Sequence, residues 1–128
     1  MQIRWMAVWT GLMVDFVLSG VIVLLTSTME SYRSAPDLSR PEHLLLWGVL
    51  ILSTGVGGFV AGRVATHDGP MHGLLVGVVG ILIGQLDVLF SGVSVPQPFV
   101  IGSAIGCLAG ALGGALSMLF VARQRDQE

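Results

Sequence analysis

From Leu44 to Val64 the chain reads LLLWGVLILSTGVGGFVAGRV, and after the short break ATHDGP it resumes from Met71 to Phe90 as MHGLLVGVVGILIGQLDVLF. Each run matches the roughly 20 apolar residues that a helix needs to cross about 30 Å of hydrocarbon. Within the break, Asp68-Gly69-Pro70 stops one helix, and Pro70 suits the first turn of the next. Two such runs so closely joined read as an antiparallel pair of transmembrane helices.

Working outward, the same pattern recurs on both sides, from Trp5 to Thr28 and from Phe99 to Ala122. Helices are therefore expected at about 5–28, 44–64, 71–90 and 99–122. The fold class is all-α: an integral membrane four-helix bundle with antiparallel neighbours, in one domain spanning 1–128. Ser39-Arg40-Pro41-Glu42 reads as a capping box for the second helix, with Ser39 as N-cap and Glu42 at N3. Ser94-Val95-Pro96-Gln97-Pro98 punctuates the chain before the fourth. No small-residue cleavage site follows the first run, so it is expected to be a retained span, not a signal peptide.

Composition agrees. The 128 residues are 53% hydrophobic and 11% charged, where soluble domains carry about a quarter charged. The net charge is −2 and there is no basic run, which excludes nucleic acid as a partner. Cys107 is the single cysteine, so neither a disulfide nor a cysteine metal site is expected within the chain. It reads as a small buried apolar residue.

Arginine placement sets an expected orientation. With four spans, Arg4, Arg63, Arg123 and Arg125 share one side, and Arg33 and Arg40 stand on the other. This bias favours both termini in the cytoplasm. Trp5 and Trp9 at one face, and Tyr32 and Trp47 at the other, fit interfacial aromatic belts.

The small residues have a period of their own. Gly73, Gly77, Gly80 and Gly84 recur at intervals of four, three and four, and Gly106, Gly110, Gly113 and Ser117 repeat that spacing. In the second helix Gly48, Gly55 and Gly62 lie seven apart, with Gly58 between the last two. Lipid tails are as apolar as leucine, so membrane helices associate through close van der Waals contact, which small residues permit. The stripes predict a glycine-zipper type of bundle, tight enough to argue against a wide cavity inside one chain. The matching stripes fit either an inverted repeat or, as favoured here, independent selection for close packing.

Asp15 and Asp87 are the residues that packing alone does not need. A carboxyl near mid-bilayer costs roughly 2.5–3.5 kcal/mol on insertion scales, so it should face protein. Asp15 extends a polar stripe of Gly11, Asp15 and Ser19, and Asp87 extends the glycine stripe of the third helix. By depth, Ser53 and Thr54 reach the level of Asp15, each about 15 Å in, and Ser103 reaches that of Asp87. These carboxyls are either hydrogen-bonded glue between helices or members of a proton or cation path. Gln85, about 100° round the helix from Gly84, is expected to face a different partner such as another chain.

His67 and His72 flank the central hairpin and His43 opens the second helix. Gly69 and Pro70 break the helical register between His67 and His72, so the favoured reading is interfacial capping or headgroup contact, with no metal or cofactor. No nucleophile–base pair, phosphate-cradling loop or paired carboxylate site stands out, and an enzyme is not expected.

Gly57-Gly58-Phe59-Val60-Ala61-Gly62-Arg63-Val64-Ala65, followed by His72-Gly73-Leu74-Leu75-Val76-Gly77, resembles a family of small uncharacterised prokaryotic membrane proteins with about four spans. Their signature is G-G-x-x-A-G-R-x-A followed by H-G-x-x-x-G. The resemblance implies the fold and no activity, and it draws interest to Arg63 and His72 at the cytoplasmic hairpin. Arg63, in the last turn of its helix, can bond free carbonyls and lipid phosphate. Two functions are in view: a non-enzymatic structural or accessory subunit, assembling with itself or with other membrane proteins in lipid, and a small proton or cation transporter component using Asp15 and Asp87.

Overall fold

The computed structural model describes residues 3–29, 39–91 and 97–125, without the side chains at 87–89, 91, 97–99 and 124–125. Four helices follow in order: α1 Trp5–Ser27, α2 Pro41–Ala65, α3 Gly69–Ser91 and α4 Gln97–Arg125. All four are long and apolar enough to cross a membrane, and no strand occurs among the described residues. In hydrocarbon a helix satisfies its backbone hydrogen bonds internally, and these sequences have few other options there.

α2 packs against each of the other three helices, and α1 and α4 flank the α2–α3 pair with little direct contact. The core is small: Val8, Leu12, Ala61 and Val76 are enclosed, with Leu75 and Val79 against them. Large apolar side chains such as Leu24, Leu82, Leu112 and Leu119 are exposed. That arrangement suits a lipid solvent, in which outward leucines cost nothing.

Ser39 is not the expected N-cap of α2. Arg40 is the N-cap of α2, in extended conformation at φ −93° and ψ 125°, with no side-chain cap hydrogen bond. The cause is Pro41, which disfavours helical geometry in the residue before it and itself suits the first helical position. Glu42 falls in the first turn, where its charge complements the helix dipole.

The α2–α3 hairpin is tight. Thr66 and Asp68 take left-handed φ values of 64° and 49°. The N–H of Thr66 closes α2 on the carbonyl of Gly62. This leaves the helix ends close together, at the same end of the bundle as Arg4.

The bundle differs sharply from one end to the other. Towards this hairpin end the helices nearly touch. A Cβ on Gly58 would overlap the carbonyl of Gly110, and one on Gly73 would meet the same carbonyl. A Cβ on Gly11 would come within 2.5 Å of the Gly57 carbonyl, and one on Gly77 within 2.7 Å of the Cys107 Cα. Gly62 is seated on Gly114 and Ser117, Gly113 on Gly55, and Gly114 on Gly69. Towards the other end the packing lapses. A Cβ at Gly48, Gly84 or Gly106 would meet nothing within 4 Å, so these three stripe positions do not make the close contacts expected of them. Gly48 and Gly84 are exposed at that level, and Gly80, with its nearest neighbours at 3.7 Å, marks the transition.

Candidate functional site

The stripes argue against a wide cavity within one chain, yet a hollow opens where the glycines stop packing. A cavity of about 540 Å³ occupies the half of the bundle away from the hairpin, with walls from all four helices. Gly84 and Gly106, read from sequence as packing residues, line it instead. Missing side chains close a bundle only where a neighbouring backbone comes up to them; where none does, the same residues leave space.

Asp15 lies at the boundary between the closed and open halves. Its side chain is 9% exposed and forms part of the cavity wall. Ser53 donates to Oδ1 at 2.8 Å, Ser19 donates to Oδ1 at 3.2 Å, and Thr54 reaches both oxygens at 3.3 Å. Ser19 and Ser53 also lie 2.7 Å apart, and Ser53 has the Leu50 carbonyl at 2.7 Å as a second acceptor. Each hydroxyl has one hydrogen to give, so the network can shift without moving any heavy atom. The helical spacing that stacks Asp15 and Ser19 on one face of α1 sets them opposite the adjacent Ser53 and Thr54 of α2.

The two carboxylate oxygens are unequal. Oδ1 collects Ser19, Ser53 and Thr54, whereas Oδ2 has Thr54 alone among the described residues. Oδ2 faces Gly80, whose Cβ, if it had one, would lie 3.7 Å away. Among the described residues no arginine or histidine lines the cavity.

Ser103 also lines the cavity. Asp87 belongs to α3, but its side chain is outside the described residues, and so is the expected contact with Ser103. Gln85, expected to face another chain, has its Oε1 buried within this one and without a hydrogen-bond partner among the described residues. Trp47, expected in an interfacial belt, is turned inward: its ring packs on Gly102, the only residue type that leaves room for it, and forms part of the cavity wall. Trp5 and Trp9 are exposed. Tyr32 is outside the described residues.

His67 is exposed at the hairpin, whereas the other two histidines are turned inward. His43 is buried at the start of α2, and His72 is only 1% exposed. The backbone N–H of Arg4 donates to His72 Nε2 at 3.0 Å, and His72 Nδ1 stands 2.9 Å from the Asp68 carbonyl. An acceptor at Nε2 and a donor at Nδ1 define the neutral ring with its hydrogen on Nδ1. The His67 and His72 rings meet edge to face at 5.9 Å. Among the described residues no group of three or more histidine, cysteine or acidic side chains could hold a metal ion. Arg4 reaches the Ala65 and Val64 carbonyls at 3.3 and 3.4 Å, and thus serves the C-terminus of α2. Arg63 lies exposed in the last turn of that helix.

Sequence reasoning missed Gly11, Gly57, Gly69, Gly102 and Gly114 as close contacts, and the Arg4–His72 tie. The doublets Gly57-Gly58 and Gly113-Gly114 were a usable signal. Neighbours on a helix point about 100° apart, so a doublet serves two partners at once. Gly57 meets α1 while Gly58 meets α4, and Gly113 meets α2 while Gly114 meets α3.

The family model described as protein of unknown function, DUF3792, matches residues 4–117. The chain belongs to this family. No curated protein and no solved structure matches it. The matched DUF3792 stretch begins at Arg4, so it takes in both the N-terminal tie to His72 and the whole wall of the cavity.

Proposed function

We propose that this DUF3792 protein is a small non-enzymatic carrier component that moves protons or cations across a prokaryotic plasma membrane, with both termini cytoplasmic. One observation supports the reading above others: a carboxyl with mobile hydroxyl donors sits at the closed end of a cavity inside the bundle. A merely cohesive carboxyl would be expected among packed helices, without room for an occupant. The glycine contacts that close the hairpin half suit a carrier better than an open pore.

The test is flux into proteoliposomes that enclose a pH- or cation-sensitive dye. The parent protein should dissipate an imposed gradient, and Asp15→Asn, which keeps shape but cannot exchange a proton, should not. Equal flux for the two, or none above empty vesicles for either, would overturn the reading.

A structural or accessory role, in a homo-oligomer or a larger complex, has one observation of its own. A second hollow of about 370 Å³ runs between α2 and α4, lined by apolar residues including Leu52, Val56, Phe59, Leu112 and Leu116. A helix of a second copy or of another subunit would fill it in the bilayer. Recovery of a stable assembly in mild detergent, lost on Val56→Trp, would support that role.

A further inference from the structure

Resting on the carrier reading, the cavity's own chemistry narrows what it takes. We infer that the occupant is a hydrophobic organic monocation, a quaternary ammonium, phosphonium or protonated amine carried on an aromatic or alkyl body, with Asp15 as its counter-ion.

Size is the first argument. About 540 Å³ falls within the range of small-molecule pockets, whereas an alkali ion needs only a compact shell of oxygens. Lining is the second. Apart from Asp15 and the hydroxyls of Ser19, Thr54 and Ser103, the walls are apolar side chains and glycines, a poor surface for a hydrated ion. Charge is the third. Among the described residues the wall carries one carboxyl and no basic side chain, a balance met by one positive charge and repelling to anions.

Placement of groups agrees. Three hydroxyls hold Oδ1, which leaves Oδ2, beside Gly80, with only a shared, long contact to Thr54. Trp47 and Phe16 add aromatic surface to the same cavity, and aromatic faces attract cations once water is excluded. Gly84 and Gly106 keep the centre clear, since a side chain on either would project into empty space.

The experiment compares two ions of one shape and opposite charge, tetraphenylphosphonium and tetraphenylborate, by calorimetry on the purified full chain in detergent. The parent should bind the phosphonium saturably and the borate at least about tenfold more weakly. Asp15→Asn should lose about tenfold or more of the phosphonium affinity, and Trp47→Ala about threefold to tenfold. Gly106→Leu, which fills the cavity without touching the carboxyl, should abolish binding while the helical circular dichroism melt is unchanged. Equal affinity for both ions would mean a plain hydrophobic hollow and would overturn the inference. So would an absence of phosphonium binding, or binding indifferent to Asp15→Asn and Gly106→Leu. If Asp15-dependent flux of protons or inorganic cations persists in proteoliposomes while the phosphonium does not bind, the carrier reading stands and this inference alone fails.

Discussion

The backbone N–H of Arg4 donates to Nε2 of His72 at 3.0 Å, tying the start of α1 to the α2–α3 hairpin across 68 residues of sequence. His72 is buried, so its ring nitrogen has little access to water, and the part-buried bond to Arg4 is its partner there. His72→Phe keeps most of the ring volume but has no acceptor, and should destabilise the bundle by about 1–3 kcal/mol. Arg4→Ala retains the backbone donor and loses only the longer guanidinium contacts, so it should cost less. Thermal melts in detergent decide this, and a larger loss for Arg4→Ala would show that the guanidinium, and not the histidine, holds the end of α1.

Glycines on one stripe should respond in opposite ways to the same change. Gly58→Ala drives a methyl into the Gly110 backbone, where no flexible side chain can yield, and should separate α2 from α4 at a cost of about 1–3 kcal/mol. Gly48→Ala meets nothing within 4 Å and raises helix propensity, so it should be neutral or stabilising by up to about 1 kcal/mol. Equal effects at the two positions in a melting series would contradict the convergence of the helices towards the hairpin.

That contrast marks how far sequence could carry. Four helices were legible because length and hydropathy in lipid leave the backbone few alternatives. The juxtaposition of Asp15 with Ser53 and Thr54 was legible too, because helix rise fixes depth and antiparallel neighbours share levels. The cavity was not. Gly77 and Gly84 look alike in sequence, and only the presence or absence of a neighbouring backbone makes one a contact and the other a void. Likewise the capping box at Ser39 fits a motif, yet Pro41 one step later decides the helix start. His72 was read as interfacial because its hairpin is polar, and nothing local announced that Arg4 would cover it.

Orientation has a direct test. With Cys107 replaced by serine, a cysteine at Ser34, in the α1–α2 connection, should react with an impermeant thiol reagent added outside intact cells. A cysteine at His67, in the hairpin, should stay unlabelled until the cells are opened. The reverse pattern would place the termini outside and would turn the closed half of the bundle towards the exterior.

The decisive pairing concerns the two intramembrane carboxyls. Asp15 stands in the cavity wall with Ser19, Ser53 and Thr54 on its oxygens, and those hydroxyls tolerate an amide because each can donate or accept. Asp15→Asn should therefore leave the melting temperature within a few degrees of the parent, a change of about 1 kcal/mol or less. Asp15→Leu should cost little more, because Ser53 and Thr54 each retain the Leu50 carbonyl as an acceptor. Stability should thus be nearly blind to a substitution that abolishes flux. Asp87→Asn and Asp87→Leu supply the comparison: if Asp87 is cohesive, the asparagine is tolerated, the leucine weakens the bundle, and neither removes more flux than the loss of folded protein explains. Flux and melting measured on all four variants separate the roles. Flux that survives Asp15→Asn and vanishes with Asp87→Asn, both proteins being folded, would move the working carboxyl from α1 to α3 and leave the Asp15 network as glue.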